Sequence, residues 1–248
     1  MDTQDAHESG QTGFNPYISV DCVLLGIDDD KLCVLLFKMR DETGKGIGYK
    51  LPGSLIYLNE DLDDAAYRVL GDSTGLRRVK LKQFHCFGDT SRTSNPADVA
   101  WLETIYKVHL NRLISVGYMA LCKKGKTSQE EALGEILWCP VCLLPNLPFD
   151  HEEIINAAVT EMREWVEKEP AIVFDYLPAK FTALQLRTAY EAIYNQRLDV
   201  RNFNKKMLSL DYIQLTDEME VGVAHRAARF YRFDKVKYNQ QRSKFNKR

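Results

Sequence analysis

Carboxylates cluster in one stretch of this chain, and their spacing decides which of them could hold a metal ion. Between Leu51 and Leu76 the acidic residues are Glu60, Asp61, Asp63, Asp64 and Asp72. A divalent cation on a helix needs carboxylates at i, i+3 and i+4, because only these positions share a face. Asp61 instead suits a helix N-cap, and Asp63 and Asp64 in the first turn favour the helix dipole.

The same stretch predicts a Pro-Gly loop followed by an amphipathic helix. The apolar residues recur at i, i+3, i+4, i+7 and i+8, which is typical of a single helical stripe: Leu62, Ala65, Ala66, Val69 and Leu70. Gly75 then supplies a left-handed stop for the helix.

This loop and helix resemble the Nudix box: Gly, five residues, Glu, seven residues, then Arg-Glu-U-X-Glu-Glu-X-Gly-U, where U is aliphatic. On this chain the first Gly of the pattern falls on Ser54, its first Glu on Glu60, its Arg on Arg68 and its final pair on Gly75-Leu76. The scaffold of the box is therefore kept.

The three acidic positions that hold the metal in the pattern fall on Val69, Asp72 and Ser73. One carboxylate of the three survives, and a valine cannot bind a cation, so we expect neither a metal nor catalysis. The alternative is a Mg²⁺-dependent Nudix hydrolase of a nucleoside diphosphate derivative. That enzyme would use Glu60 and Asp72 as ligands, and they would neutralise a pyrophosphate poorly.

Cysteine usage indicates a cytoplasmic protein, and we expect no cofactor. Most of the six cysteines lie in apolar segments, as reduced thiols do. Cys139 and Cys142 have ligand spacing, but a zinc site needs two more ligands and there is no second C-x-x-C. The apolar runs are too short to span a bilayer, and we detect no signal peptide.

The net charge of −2 hides an asymmetry along the chain. Residues 1–170 carry 18 Lys/Arg against 27 Asp/Glu, whereas residues 171–248 carry 15 against 8. The basic final third indicates a polyanionic partner, although a solvated basic face is the simpler explanation of charge alone.

The order of elements predicts an α+β fold with two domains. A disordered tail, residues 1–16, precedes a domain over residues 17–168, in which a hairpin turns at Asp28-Asp29-Asp30. Strands are predicted at Leu81–Phe87, Ala100–His109, Arg112–Lys123 and Glu135–Trp138, and a strong helix follows Phe149-Asp150-His151. This is the order of the Nudix α/β/α sandwich.

The boundary lies near Glu169, because the residue before Pro170 avoids the helical region. Residues 169–248 then read as helix, turn, helix and β-ribbon, the winged helix-turn-helix arrangement. Thr182 and Gln185 form a capping box for the first helix. Asp199 caps the second helix, Val200–Ser209, and the ribbon strands are Tyr212–Thr216 and Arg229–Phe233.

The whole chain is similar to the Nudix-related transcriptional regulators of bacterial NAD synthesis and sugar catabolism. The similarity rests on Phe181–Ile193, Leu198–Leu208 and Ala228–Phe233, and on Trp138 with Phe149-Asp-His151. It implies a homodimeric repressor that binds a palindromic DNA site and leaves it when an effector binds. The effector is either a nucleotide sugar such as ADP-ribose or a free sugar. Loss of the metal carboxylates favours a pentose such as arabinose.

Two sets of residues are the candidates for these contacts. The effector set lies in or near the loops around the box: Arg40, Lys50, Glu60, Asp89 and Tyr118. The DNA set lies on the two helices and the wing: Thr182, Gln185, Arg201, Asn202, Lys205, Lys206 and Arg226. Arg201 and Asn202 are expected to read base edges, and the others to hold the phosphate backbone.

Overall fold

The structure, a computed structural model, describes residues 13–74, 79–123, 134–222 and 227–245. The first domain has seven strands: β1 (Phe14–Asp28), β2 (Lys31–Arg40), β3 (Gly46–Lys50), β4 (Gly53–Tyr57), β5 (Lys82–Phe87), β6 (Ile114–Leu121) and β7 (Ile136–Pro140). Its helices are α1 (Leu62–Thr74), α2 (Pro96–Tyr106) and α3 (His151–Lys168), with a 3₁₀ turn at Thr90–Thr93. The second domain contains α4 (Ala171–Tyr176), β8 (Phe181–Thr182), α5 (Ala183–Tyr194), α6 (Val200–Leu208), β9 (Ile213–Met219), β10 (Arg229–Phe233) and α7 (Lys235–Phe245).

Strand β1 is the axis of the seven-stranded sheet. The strand order is β3-β2-β1-β6-β5, with β4 also pairing to β1 and β7 to β2. Strands β1 and β6 run parallel, while the other pairs are antiparallel. Side chains alternate between the two faces of a strand. Val20 and Cys22 therefore pack against α1, whereas Val23 and Leu25 pack in the cluster that contains α3. The sheet lies between helices, which confirms the sandwich.

The prediction of a strand over Ala100–His109 is wrong, because these residues contribute to helix α2. The side chain of Asn95 accepts a hydrogen bond from the amide of Ala97, and Pro96 occupies the first turn. Both features start a helix locally. Their effect outweighs the strand preference of the residues that follow.

Most other elements confirm the sequence predictions. The β1–β2 hairpin turns at Asp28–Lys31, and α1 begins after Asp61, whose carboxylate accepts from the amide of Asp63. The capping box of Thr182 and Gln185 is formed. The predicted stop at Gly75 lies outside the described residues. So do residues 1–12 of the tail, but β1 begins at Phe14, whose ring stacks on Tyr57 at 4.7 Å.

The second domain is a winged helix that shares a hydrophobic core with the first domain. Its three strands are ordered β8-β10-β9. Helices α4 and α7, which the sequence did not reveal, contribute aromatic rings: Phe174 stacks on Phe233 at 4.4 Å, and Tyr238 meets Tyr212 edge-on at 5.2 Å. The common core joins residues of both domains, such as Leu25 and Ile193. No described helix has the length and apolar character needed to cross a membrane.

Candidate effector cavity and DNA-binding helix

Helix α1 keeps the internal bonds of the box. The guanidinium of Arg68 donates two hydrogen bonds to Glu60, at 2.6 and 2.8 Å, and a third to the carbonyl of Leu55. It also lies 4.5 Å from the centre of the Tyr57 ring. The Arg68 hydrogen bonds lower the pKa of Glu60. This pair therefore braces the loop against the helix.

The residues at the metal positions of the box do not fit a metal. Val69 is 3% exposed and packs with Val20, Cys22 and Tyr118. Asp72 is exposed on the helix. Among the residues that the structure describes, no cluster of three His, Cys, Asp or Glu side chains could hold a metal ion.

A buried group of polar side chains lies on the opposite face of β1. Asp21 accepts hydrogen bonds from Arg92, at 3.1 Å, and from the hydroxyl of Ser115. Arg92 pairs with Asp150 as well. Burial alone would raise the pKa of Asp21, but His151, Arg92 and Ser115 together hold it below its usual value. Asp21 is therefore an ionised carboxylate in the interior of the domain.

His151 is neutral in this group. Burial lowers its pKa from 6.5 to about 4, although Asp21 opposes the shift. Its Nδ1 accepts a hydrogen bond from the amide of Leu51, at 3.2 Å. The proton of the neutral ring is consequently on Nε2, which lies 3.7 Å from Asp21.

Asp21, Arg92 and His151 border a narrow cavity of about 20 Å³, which has room for little more than a water molecule. The cavity shares Arg92, Trp101 and Phe149 with a wider depression of about 580 Å³. Gly53 at the floor has room for no side chain, because a Cβ there would lie 2.1 Å from the carboxylate of Asp21. Arg92, Trp101 and Phe149 therefore separate the buried charges from the wider depression.

Two buried polar atoms beside the narrow cavity lack a hydrogen-bond partner among the described residues: Oγ of Ser19 and Nε of Arg92. Both residues are at least 95% buried and line the narrow cavity. An unpartnered buried polar group costs roughly 1–3 kcal/mol, so such groups are rare unless a ligand or ordered water satisfies them. The cavity therefore has the features of a binding site.

The structure brings together only part of the effector set proposed from sequence. Lys50 lines the narrow cavity, where its ammonium donates to the carbonyls of Leu51 and Gly53. Asp89 lines the wider depression and caps the 3₁₀ turn. Arg40 pairs with Glu135, although its carbonyl accepts from the Trp101 indole at 2.8 Å.

The other two members of the set have different surroundings. Glu60 is bound to Arg68, as described above. Tyr118 lies on the α1 face of the sheet and donates to Asp63 at 2.6 Å. Sequence reasoning missed Asp21, Arg92 and His151. A carboxylate between Val20 and Cys22, within an apolar strand, was the available signal for the first of these.

Helix α6 presents the residues expected for DNA binding. Asp199 caps the helix by accepting a hydrogen bond from the amide of Asn202, and the side chain of Met207 is buried. The four candidate side chains on this helix are all exposed: Arg201, Asn202, Lys205 and Lys206.

The candidates on the neighbouring elements differ in their availability. Thr182 is 4% exposed, and its hydroxyl accepts from the Gln185 amide in the capping box, which leaves it little access to a phosphate. Gln185 is exposed at the start of α5, with its Oε1 engaged by the amide of Thr182. Arg226 lies outside the described residues.

Comparison with known proteins supports both halves of this description. Residues 173–233 match the NrtR DNA-binding winged helix domain family. The ADPR-responsive transcriptional repressor NtrR of Acinetobacter baylyi is 24% identical over 221 residues, which are 88% of this chain and 82% of that protein.

Solved structures extend the similarity to the fold. Shewanella oneidensis NrtR complexed with a 27mer DNA is 21% identical and gives a TM-score of 0.65, with 90% of this chain and 95% of that chain covered. A MutT/nudix family protein from Enterococcus faecalis, also 21% identical, gives 0.61 with 88% of each chain covered. These findings confirm the similarity to the Nudix-related transcriptional regulators and the order of the two domains. They favour a regulator over a hydrolase.

Proposed function

We propose that this protein is a transcriptional repressor in which the Nudix-like domain binds a sugar-containing effector and the winged helix binds operator DNA. The observation that carries the effector half is the buried group of Asp21, Arg92 and His151 beneath a cavity with unpartnered polar atoms. The DNA half is supported by the exposed basic side chains of α6 and by the family match over residues 173–233.

Arg201 and Asn202 are proposed to read bases, and Lys205 and Lys206 to bind phosphates. A duplex selected from a random pool by the wild-type protein provides the operator for a test. Arg201→Ala should weaken binding to that duplex by about 1–3 kcal/mol and relax specificity at one base position. Lys206→Ala should weaken binding to the selected and the random duplex alike. It should also reduce the slope of log K against log salt concentration by roughly one unit. Equal losses on both duplexes for Arg201→Ala would make α6 a phosphate clamp instead.

The electrostatics of the cavity favour an uncharged sugar such as a pentose, for example arabinose. Among the described lining residues of the two adjoining spaces, five carboxylates face two cations. The five are Asp21, Asp89, Asp98, Asp150 and Glu153, and the two are Lys50 and Arg92. Arg92 is already paired with Asp21 and Asp150. A pyrophosphate would enter a negative field, whereas hydroxyl groups can both donate to carboxylates and accept from Arg92.

ADP-ribose is the second candidate, because the Acinetobacter relative is described as responsive to it. Thermal-shift titration separates the candidates, since a ligand that binds only the native state raises its stability by RT ln(1 + [L]/Kd). Stabilisation by a pentose and not by ADP-ribose is the expected result. The converse result would select ADP-ribose, and a response to neither would reject a sugar-containing effector.

The position of the site can be tested with a mild variant. Ser19→Ala removes a hydroxyl that has no partner within the described structure, so it should fold normally and weaken effector binding by roughly 1 kcal/mol. Thr160→Ala on the outside of α3 is the control. Unchanged affinity in Ser19→Ala would place the effector elsewhere.

We propose further that the protein acts as a homodimer on a palindromic site upstream of sugar-catabolism or NAD-metabolism genes, and that the effector releases DNA. Two-fold symmetric helix-turn-helix proteins bind sites of matching symmetry. Analytical sedimentation of the protein, alone and with the selected duplex, tests whether it is a dimer and whether two protomers bind one site. Turnover of ADP-ribose with Mg²⁺ or Mn²⁺ at ordinary enzyme rates would favour the hydrolase alternative.

A further inference from the structure

The tip of the β1–β2 hairpin contacts the turn that precedes helix α6. Arg197 in this turn donates a hydrogen bond of 2.6 Å to the carboxylate of Asp30 in the first domain. The same guanidinium lies 3.4 Å from the carboxylate of Glu191, near the end of α5. One arginine therefore joins a carboxylate of each domain.

Glu191 connects this arginine to the start of α6. Glu191 is only 8% exposed, and its Oε1 accepts a hydrogen bond of 2.8 Å from the amide of Leu198. Leu198 directly precedes Asp199, the N-cap of α6. Glu191 therefore holds the backbone next to the N-cap of α6.

Strand β1 extends from the effector cavity to this contact. Ser19 and Asp21 line the cavity, and by alternation Ile27 lies on the same face of the strand. The carbonyl of Ile27 accepts a hydrogen bond from the hydroxyl of Tyr176, in α4 of the second domain. The strand continues into the hairpin turn that carries Asp30.

We propose that the ionic relay Asp30–Arg197–Glu191 holds the recognition helix α6 in its DNA-binding position. Arg197 and Glu191 are then positioning residues, and Asp30 is the point at which the first domain controls that position. This inference rests on the proposed function, because it takes α6 to be the helix that reads DNA.

The hairpin turn offers a matched pair of variants. Asp30→Asn and Asp29→Asn remove the same charge from adjacent positions, but only Asp30 belongs to the relay. Asp29 has a left-handed backbone, with φ of 53°, which asparagine also tolerates. Loss of a negative charge by itself should strengthen DNA binding slightly in both variants. The relay predicts the opposite for Asp30→Asn, a loss of about two- to fivefold on the selected duplex, as expected for an exposed ion pair.

A double variant separates positioning from direct contact with DNA. If Arg197 acts through Asp30, Asp30→Asn should no longer weaken duplex binding in an Arg197→Gln background, and should show only the slight strengthening expected of Asp29→Asn. If Arg197 instead binds a phosphate, the two effects should add. Additive effects, or equal behaviour of Asp29→Asn and Asp30→Asn, would overturn the relay.

Amide hydrogen exchange gives a readout that requires neither DNA nor effector. In Asp30→Asn the amides of residues 198–202 should exchange at least twofold faster than in the wild type, whereas Asp29→Asn should leave them unchanged. The melting temperatures of the two variants should differ by no more than about 4 °C. Unchanged exchange in Asp30→Asn would refute the relay even if the protein proved not to bind DNA. Faster exchange without DNA binding by the wild type would keep the relay and reject the proposed function.

Discussion

The two faces of strand β1 bury opposite kinds of side chain. On the α1 face, Val20 and Cys22 pack with Val69 in an apolar cluster. On the other face, Asp21 forms buried polar contacts with Arg92 and Ser115. The first metal position of the Nudix pattern falls on this face, and this chain has Val69 there.

This difference shows that the scaffold of the box and the polar chemistry of the domain are separable. Arg68 and Glu60 still brace the loop, because that pair stabilises the turn whether or not a metal is bound. Charged groups buried on the second face are retained despite the cost of removing them from water. The unpartnered atoms beside the cavity explain why this cost is tolerated, because we propose that these groups bind the effector.

Removal of Arg92 should have the largest effect. Arg92→Ala leaves Asp21 and Asp150 as buried carboxylates without their cation, and should lower the free energy of unfolding by about 3–5 kcal/mol. Denaturant unfolding measures this loss. Arg112→Ala, which removes an exposed guanidinium that binds the carbonyl of Gly88, should change stability by no more than about 0.5 kcal/mol. Similar losses in both variants would show that the polar face contributes no special stability.

Introduction of the missing carboxylate should damage the apolar face. Val69→Glu buries an acid among Val20, Cys22 and Tyr118, and should lower stability by roughly 2–4 kcal/mol without creating Mg²⁺-dependent turnover of ADP-ribose. Tyr67→Glu places the same acid at an exposed position of α1 and should be nearly neutral. A stable Val69→Glu variant would mean that water already reaches this face.

The pH dependence of stability should report on His151. Its pKa is about 4 in the folded state against 6.5 ordinarily, so the unfolded state takes up a proton first as the pH falls. Stability should therefore decline from about pH 6.5 down to about pH 4, by up to roughly 3 kcal/mol, and this contribution should then level off.

Unfolding of wild type and of His151→Asn, measured side by side over this range, isolates the histidine from Asp21 and the other carboxylates. The asparagine can still accept from the amide of Leu51. His109→Asn removes an exposed imidazole as a control. Parallel pH curves for wild type and His151→Asn would show that folding does not lower the pKa of the His151 ring.

Two glycines give the smallest and most direct contrast between the faces. Gly71 in α1 has open space where a Cβ would lie, so Gly71→Ala should raise stability by about 0.5–1 kcal/mol through helix propensity. Gly53→Ala would press a methyl group against Asp21 and should lower stability by about 1–3 kcal/mol. Thermal unfolding tests whether stability rises in Gly71→Ala and falls in Gly53→Ala. A gain for Gly53→Ala would show that the polar group is loosely packed.

Local patterns were sufficient to predict much of the fold. The helix stripe that begins at Leu62, the capping box at Thr182 and the N-cap at Asp199 each involve residues within a few positions of one another. Their hydrogen bonds form inside one element, so the sequence encodes them directly. The prediction of a strand over Ala100–His109 was wrong because it took no account of the helix start signal at Asn95-Pro96.

The binding site was predictable only in part, because its members come from distant segments. Lys50 and Asp89 could be predicted from the sequence, because they are polar residues in or near the loops around the box. Glu60 was an equally reasonable candidate, but its carboxylate is held by Arg68, eight residues further on.

The sequence by itself determined the two domains, the broken metal positions of the box and the exposed basic helix, since each depends on residue types at short spacing. Only the tertiary structure decided that Asp21, Arg92, Ser115 and His151 meet beneath one cavity. Parallel pairing of β1 with β6 brings Ser115 beside Asp21 across 94 residues, and helix α3 carries His151 to the same carboxylate. Contacts over such separations depend on strand register and helix docking, and no pattern within either segment specifies them.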